Sequence, residues 1–450
     1  MLFNITYVLL SILIFALPWG LARKWGVIPL MSPLHIVSLA GFLGVTVKTL
    51  SYLARPDYAY YSYFVSDPWE ILSGYIYLTL FVIALCLGYM SRTRKVWRAD
   101  KEYVIAYVKT FRRNSVLFAA SAGLAVFVIA IFLSARGFEG ITQAASLDTI
   151  HLLNSQKVER IEGQNSFGKS FAAIKSLFIL SFIPFIVLLL RAQTNKLPSS
   201  IVFSILLALL IAFVAILQGK RLELLDLILY YLIVIAMCGQ RVTLKRLLAL
   251  GVMGFAIVAI FVVMTILRST KGDISTADID LYVALLPIVG STYFLDINVS
   301  VILVNIMQAD HTLYGGSYLS WSYAWIPRFF WSDKPAITLG PYLKQIVLQM
   351  NAAGGINPTG PGEAFLNFQW GGILIGFVLG FMYRKLEVLF LSQYGILHYH
   401  GVITYPLIIF PFIMSTLQSS FSGTVVTLSL QLVLVMISGN LLRRYRQKTR

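Results

Sequence analysis

Apolar runs of about 20 residues recur along this chain, from LFNITYVLLSILIFALPWGL near its start to FSGTVVTLSLQLVLVMISGNLL near its end. As a helix, such a run matches the roughly 30 Å hydrocarbon core of a bilayer. In lipid no water is available to bond backbone N–H and C=O groups, so a spanning segment must satisfy them internally. A helix does so within one segment, which makes an all-α polytopic membrane protein the expected fold class. Composition agrees, with 58% hydrophobic and 12% charged residues, against about 25% charged in a soluble domain. Eleven runs qualify as spans, at about 2–22, 33–53, 70–90, 115–135, 171–190, 198–217, 222–238, 247–267, 364–383, 401–417 and 422–442. One helical bundle can absorb the whole chain, so 1–450 is read as a single integral membrane domain.

The formal net charge of +17 invites a nucleic-acid reading, and the position of the charges argues against it. Basic residues gather after the first span (Arg23, Lys24), in the loop 91–114, at Arg191 and Lys196, at Arg241, Lys245 and Arg246, at Arg384 and Lys385, and in the tail RRYRQKTR. With these on one side, that face holds 22 of the 36 Lys and Arg and only Asp100, Glu102 and Glu387 of the acids; the other holds 13 basic and 16 acidic residues, and Lys48 lies inside a span. The positive-inside rule makes the basic side cytoplasmic. The N-terminus is then outside and the C-terminus in the cytoplasm. The excess charge is topological, with attraction to anionic membrane lipid as a by-product, and no nucleic-acid partner is expected. The first span has its positive charges behind it, the reverse of a signal peptide, and is expected to be retained. Cys86 and Cys238 lie within spans, where they act as small apolar residues.

The run 281–306, LYVALLPIVGSTYFLDINVSVILVNI, is apolar enough to cross but contains Pro287, Gly290 and Asp296. If it spanned, the basic tail would lie outside, so it is read as a re-entrant hairpin or a helix packed within the outer region. Two polar segments remain on the outer face, roughly 136–170 and 268–363.

The second segment holds most of the candidate chemistry. Trp321, Tyr323, Trp325, Phe329, Phe330 and Trp331 cluster there with Arg328 and Lys334. They suit either an interfacial aromatic belt or a platform for sugar rings, since Trp and Tyr join an apolar body to a polar handle. Pro327, Pro335, Pro341, Pro358 and Pro361 stiffen the backbone. Glu363, in PTGPGEAFLNF, stands where the segment enters the next span. It is either a routine charge at a helix start or a desolvated general base. Asp310 and His311 are second candidates for the base. Elsewhere, Lys220 and Arg221 share a short outer turn and Arg268 ends a span. These residues either snorkel at helix ends or bind an anion, Arg forking onto phosphate oxygens. No metal-ligand spacing is present, and neither a metal nor a cofactor is expected.

The stretch GGSYLSWSYAWIPRFFWSDKP, followed by NPTGPGEAFLNFQWGGILIGFVLG, resembles the oligosaccharide repeat-unit (Wzy-type) polymerases of bacterial envelopes. The matches are Ile326, Pro327, Arg328, Trp331, Asp333, Lys334 and Pro335, then Pro358, Thr359, Gly362, Glu363, Asn367, Phe368 and Gly371. The turn Gly219–Arg221 is similar to one found mid-chain in these proteins and in O-antigen ligases. The resemblance implies a membrane-embedded (GT-C-like) glycosyltransferase of the bacterial cytoplasmic membrane. Its substrate would be polyprenyl-diphosphate-linked oligosaccharide, and chain-length regulators or flippases are possible partners. On that basis Arg221, Arg268 and Arg328, with Lys220 and Lys334, are expected to stabilise the diphosphate leaving group. Glu363 is expected to activate the acceptor, and His311, Trp325, Trp331 and Asn367 to bind substrate. An O-antigen ligase and, from a different class, a polysaccharide flippase are the alternatives.

Overall fold

The structure is a computed structural model that describes residues 2–28, 30–91, 101–136, 178–195, 197–217, 221–238, 251, 295–324, 326, 330–331, 333, 339–350, 355–391, 399–418 and 421–443. Among these the regular structure is all helical, joined by turns and short irregular connections, with one isolated bridge between Phe111 and Arg443. The longer helices are α1 (Leu2–Trp25), α2 (Pro33–Ala54, with a π-helical stretch at Phe42–Thr46), α3 (Pro68–Met90), α4 (Lys101–Lys109), α5 (Asn114–Arg136), α6 (Ile179–Asn195), α7 (Pro198–Leu217), α8 (Arg221–Met237), α9 (Ile297–Ile306), α10 (Thr359–Phe368), α11 (Ile373–Leu391), α12 (Gly401–Gln418) and α13 (Phe421–Leu441). Six of the described helices are long and apolar enough to cross a membrane: α1, α2, α3, α12, α13 and, over Pro198–Ala215, α7. This is a multi-pass helical membrane protein. The run expected at 247–267 lies outside the described residues, Gly251 excepted.

The chain divides into two compact units. The first comprises Met1–Trp97, Ile288–Leu389 and Ile408–Leu430. Within it α1 packs on α2 and α3, α3 packs on α9, and α9 packs on α10. Gly376 and Gly380 on α11 are four residues apart, and they face the backbone of α3. A Cβ on Gly376 would overlap the Phe81 carbonyl oxygen, one on Gly380 that of Leu85, and one on Gly88 of α3 that of Phe377. Close approach through small residues replaces the hydrophobic driving force that lipid removes.

The ambiguous run 281–306 is described from Leu295 onward. Asp296 caps α9, its Oδ1 accepting the Asn298 N–H at 2.8 Å, and its Oδ2 pairs with Lys48 Nζ at 2.5 Å. Both side chains are buried. The residue that spoils the apolar run is therefore the one that starts a ten-residue helix and neutralises the lysine inside the second span. At ten residues α9 is about 15 Å long, half a bilayer core. Arg384 and Glu387, both counted on the basic face, form a second buried pair at 2.9 Å. Glu387 also accepts from the Tyr89 hydroxyl and the Val27 N–H.

The second unit comprises Arg98–Pro287, Phe390–Leu407 and Gln431–Arg450. Here α6, buried along Ser181–Ala192, touches α4, α5, α7 and α8. His400 hydrogen-bonds Tyr107 at 2.8 Å and Asn440 at 2.9 Å, joining α4, the start of α12 and the end of α13.

Candidate functional site

The span expected at 364–383 is two helices, not one. Helix α10 starts earlier, at Thr359, and ends at Phe368; Gln369 takes a left-handed φ of 50° and a 3₁₀ turn, Gln369–Gly372, leads into α11. Glu363 is thus in the second turn of a short helix rather than at the mouth of a span, which corrects the helix-start reading. Small residues let α10 enter this crowded place. Gly360 lies against the Thr416 carbonyl, and a Cβ on Gly362 would stand 3.0 Å from Leu303 and 3.1 Å from Val299. Thr359, a β-branched residue, is held at a φ of 63° with its buried hydroxyl unpartnered. That is strain of the kind found where the surroundings over-determine the backbone.

Glu363 is 1% exposed. Its Oε1 accepts the Ser317 hydroxyl at 2.7 Å, and its Oε2 accepts the Phe421 N–H at 2.7 Å. Phe421 is the first residue of α13, so the carboxylate sits at the positive end of a 21-residue helix. Asn367, one turn further along α10 and fully buried, donates Nδ2 to Ser317 Oγ at 2.7 Å and to the Glu363 carbonyl at 2.8 Å. Its Oδ1 accepts the Ser317 N–H at 3.3 Å. Ser422 closes the network by donating to the Ser317 and Tyr318 carbonyls. Tyr318 stacks on Phe368, with centroids 6.1 Å apart.

Burial pushes the Glu363 carboxyl up from its usual 4.5 to about 7, against the opposing pull of the Ser317 hydroxyl and the Phe421 N–H. A group so poised can take a proton near neutral pH. Beside it lies a groove of about 600 Å³ whose lining includes Tyr314, Phe368, Leu374 and Ile375, with Asn367, Thr312 and Gln369 as polar members. The network thus runs from the groove through Asn367 and Ser317 to Glu363.

Of the expected site residues, the structure brings together Glu363 and Asn367. His311 makes no hydrogen bond to them. It sits on the turn Ala309–His311, with Nδ1 3.9 Å from the Asp310 carboxylate, and its carbonyl accepts the Tyr342 hydroxyl at 2.8 Å. Trp331 is 38% exposed and packs edge-on to Tyr323 at 5.5 Å. Arg221 opens α8 in the second unit. Lys220, Arg268, Trp325, Arg328 and Lys334 lie outside the described residues. Sequence reasoning missed Ser317, Ser422 and the Phe421 N–H. Only the Glu363–Asn367 spacing of four, one helix face, was available as a signal. Among the described residues no three His, Cys, Asp or Glu side chains gather to hold a metal ion.

Fold and site together define a class: a multi-pass helical membrane protein with a buried, neutral-range carboxylate beside an apolar groove. No protein-family model, curated protein or solved structure matches the chain.

Proposed function

We propose that the protein is a polysaccharide polymerase of the bacterial cytoplasmic membrane, with about eleven spans in a GT-C-like arrangement, the N-terminus outside and the C-terminus in the cytoplasm. It transfers a growing glycan from polyprenyl diphosphate to an incoming lipid-linked repeat unit on the outer face. The observation that carries this reading is Glu363, buried and held by two donors at 2.7 Å next to the groove, within the motif that resembles these enzymes.

In the proposed step the acceptor hydroxyl attacks the anomeric carbon and the bond from that carbon to the diphosphate oxygen breaks. The diphosphate leaves with the electron pair, and the acceptor's proton goes to Glu363. Ser317 Oγ donates to Glu363 and accepts from Asn367, so its second lone pair is the place for the acceptor O–H, and the proton passes through it. Arg221, Arg268 and Arg328, with Lys220 and Lys334, stabilise the charge growing on the diphosphate. The aromatic residues around Trp325 and Trp331 hold sugar, and the groove takes apolar carrier or sugar faces. An O-antigen ligase would use the same chemistry on a different acceptor.

The flippase reading has one observation in its favour, the buried Lys48–Asp296 pair, since a transporter needs charge inside its path. Reconstitution with lipid-linked repeat units separates the readings. Wild type should extend chains, and Glu363→Gln, Arg221→Ala and Arg328→Ala should each lose most extension. Normal extension by all three variants sinks the proposed site; translocation without extension points to the flippase.

A further inference from the structure

A second cavity, of about 490 Å³, lies wholly within the second unit and is unlike the groove beside Glu363. Its lining combines Lys109 and Arg113 with Asn114, Ser115, Asn195 and Ser199, and no carboxylate is among its described lining residues. Lys109 and Arg113 are exposed. The floor is built rather than accidental. Buried Arg191 donates to Asn114 Oδ1 at 2.5 Å and to the Val108 and Phe111 carbonyls at 3.1 and 3.0 Å, fixing the turn between α4 and α5. Asn114 in turn donates to Ser200 Oγ at 2.8 Å and Ser199 Oγ at 3.3 Å. These bonds hold the N-termini of α5 and α7 side by side at the cavity wall. Helix N-termini carry partial positive charge and unsatisfied N–H groups. Two of them, with two exposed cations and hydroxyl and amide donors, make a concentration of positive potential without an opposing acid among the described lining.

We propose that this cavity binds a phosphate group, Lys109 and Arg113 meeting its oxygens and the hydroxyls of Ser115 and Ser199 completing the shell, with Asn114 positioning Ser199. Two cations and several hydroxyl and amide groups on one cavity lining suit the multiple oxygens of a phosphate, on which charge-assisted hydrogen bonds are strong. Basic pockets between transmembrane helices are where anionic lipid headgroups bind. The phosphate group is therefore either that of an anionic phospholipid headgroup or free inorganic phosphate. The site is independent of Glu363 and of any glycan chemistry.

The test uses the full-length protein, purified in detergent and stripped of lipid. Phosphatidylglycerol, phosphatidylcholine and inorganic phosphate are titrated separately, with binding read by native mass spectrometry and by the shift in melting temperature. Comparison is made with Lys109→Gln/Arg113→Gln and with Arg23→Gln, an exposed control in the other unit. Losing two charge-assisted contacts should weaken binding roughly tenfold or more in the double variant, with the control unchanged. Phosphatidylglycerol bound in preference to phosphatidylcholine, with that sensitivity, identifies the lipid headgroup. Inorganic phosphate bound with the same sensitivity, and no preference between the lipids, identifies free phosphate. If neither ligand distinguishes wild type from the double variant, the proposal is overturned. Should the double variant fail to fold, Lys109→Gln alone and competition of phosphate against chloride at equal ionic strength decide it.

Discussion

Replacing Lys48 with methionine strands the Asp296 carboxylate at a buried position. Both side chains are buried and their charged atoms are 2.5 Å apart. Methionine fills most of the lysine's length, so the variant leaves little cavity and its cost reports the charge. Breaking a buried pair by removing one partner costs about 3–5 kcal/mol. Asp296→Asn should cost a similar amount for the opposite reason, since it takes the anion from a buried ammonium. It keeps the cap, because asparagine serves as well as aspartate at the start of a helix, and the Asn298 N–H retains its acceptor. The double variant Lys48→Met/Asp296→Asn should then lose much less than the two single variants together, about 1–3 kcal/mol, since it leaves no uncompensated buried charge and only one buried amide NH2 to satisfy. The assay is a double-mutant cycle on the purified protein, read as loss of helical signal on thermal or detergent unfolding. The decisive quantity is the coupling between the two substitutions, expected at several kcal/mol, where independent sites add to within about 0.5 kcal/mol. Additive losses would refute the idea that the pair stabilises through charge compensation. Because α9 packs on α10, each single variant should also lower extension activity, and the double variant should restore it.

Two further outcomes follow from the geometry. Gly380→Leu puts a side chain into the Leu85 carbonyl of α3; overpacking of this kind costs about 1–3 kcal/mol or more, and a drop in melting temperature with little folded protein recovered is expected, while Gly20→Leu, with nothing within 4 Å, should be tolerated. Glu363, raised from 4.5 to about 7, should give a rate that climbs with pH through about 7 as the base ionises, read from extension assays across that range. Its effect on stability has the opposite sign. The folded state holds the proton more tightly than the unfolded chain, so stability from this group is fully present below about 4.5 and is lost as pH rises to about 7. The change is roughly 3 kcal/mol at most, and Glu363→Gln should flatten it.

How much of this was legible beforehand depended on range. Helices stand where the apolar runs predicted them at α1, α3, α7, α12 and α13, with ends within a few residues, because a run of about 20 apolar residues is a local property. The partners of the charges were not legible. Lys48 and Asp296 are 248 residues apart, and Tyr89 and Glu387 are 298 apart; no periodicity links such positions. Asp296 was visible only as a flaw in an apolar run, and Arg384 only as one more basic residue. The break at Gln369 escaped notice for a related reason: LNFQWGGILIGF keeps its apolar character through the turn, while the interruption is one of backbone φ. Four-residue glycine spacing at 376 and 380 was in plain view, but its meaning required knowing that α3 faces it.

The break at Gln369 also explains why the carboxylate can exist where it does. A ten-residue helix is about 15 Å long and ends well short of crossing a bilayer core. Had 359–391 been one straight helix, Glu363 would have lain along a continuous wall facing side chains alone. Ending α10 at Phe368 lets it meet the first residue of α13 and the turn carrying Ser317, and these supply its two donors. A buried carboxylate without donors would be protonated at all relevant pH; one fully bonded or paired with a cation would be ionised and unreactive. Two neutral donors against strong burial leave it in between, which is the condition a general base requires. The strain at Thr359 and the left-handed Gln369 bracket the helix at both ends, so the same short element carries the strain and the poised group. Relaxing either end, for example by Thr359→Gly, should therefore move the pH midpoint of extension while leaving the spans intact, and an unchanged midpoint would separate the strain from the chemistry.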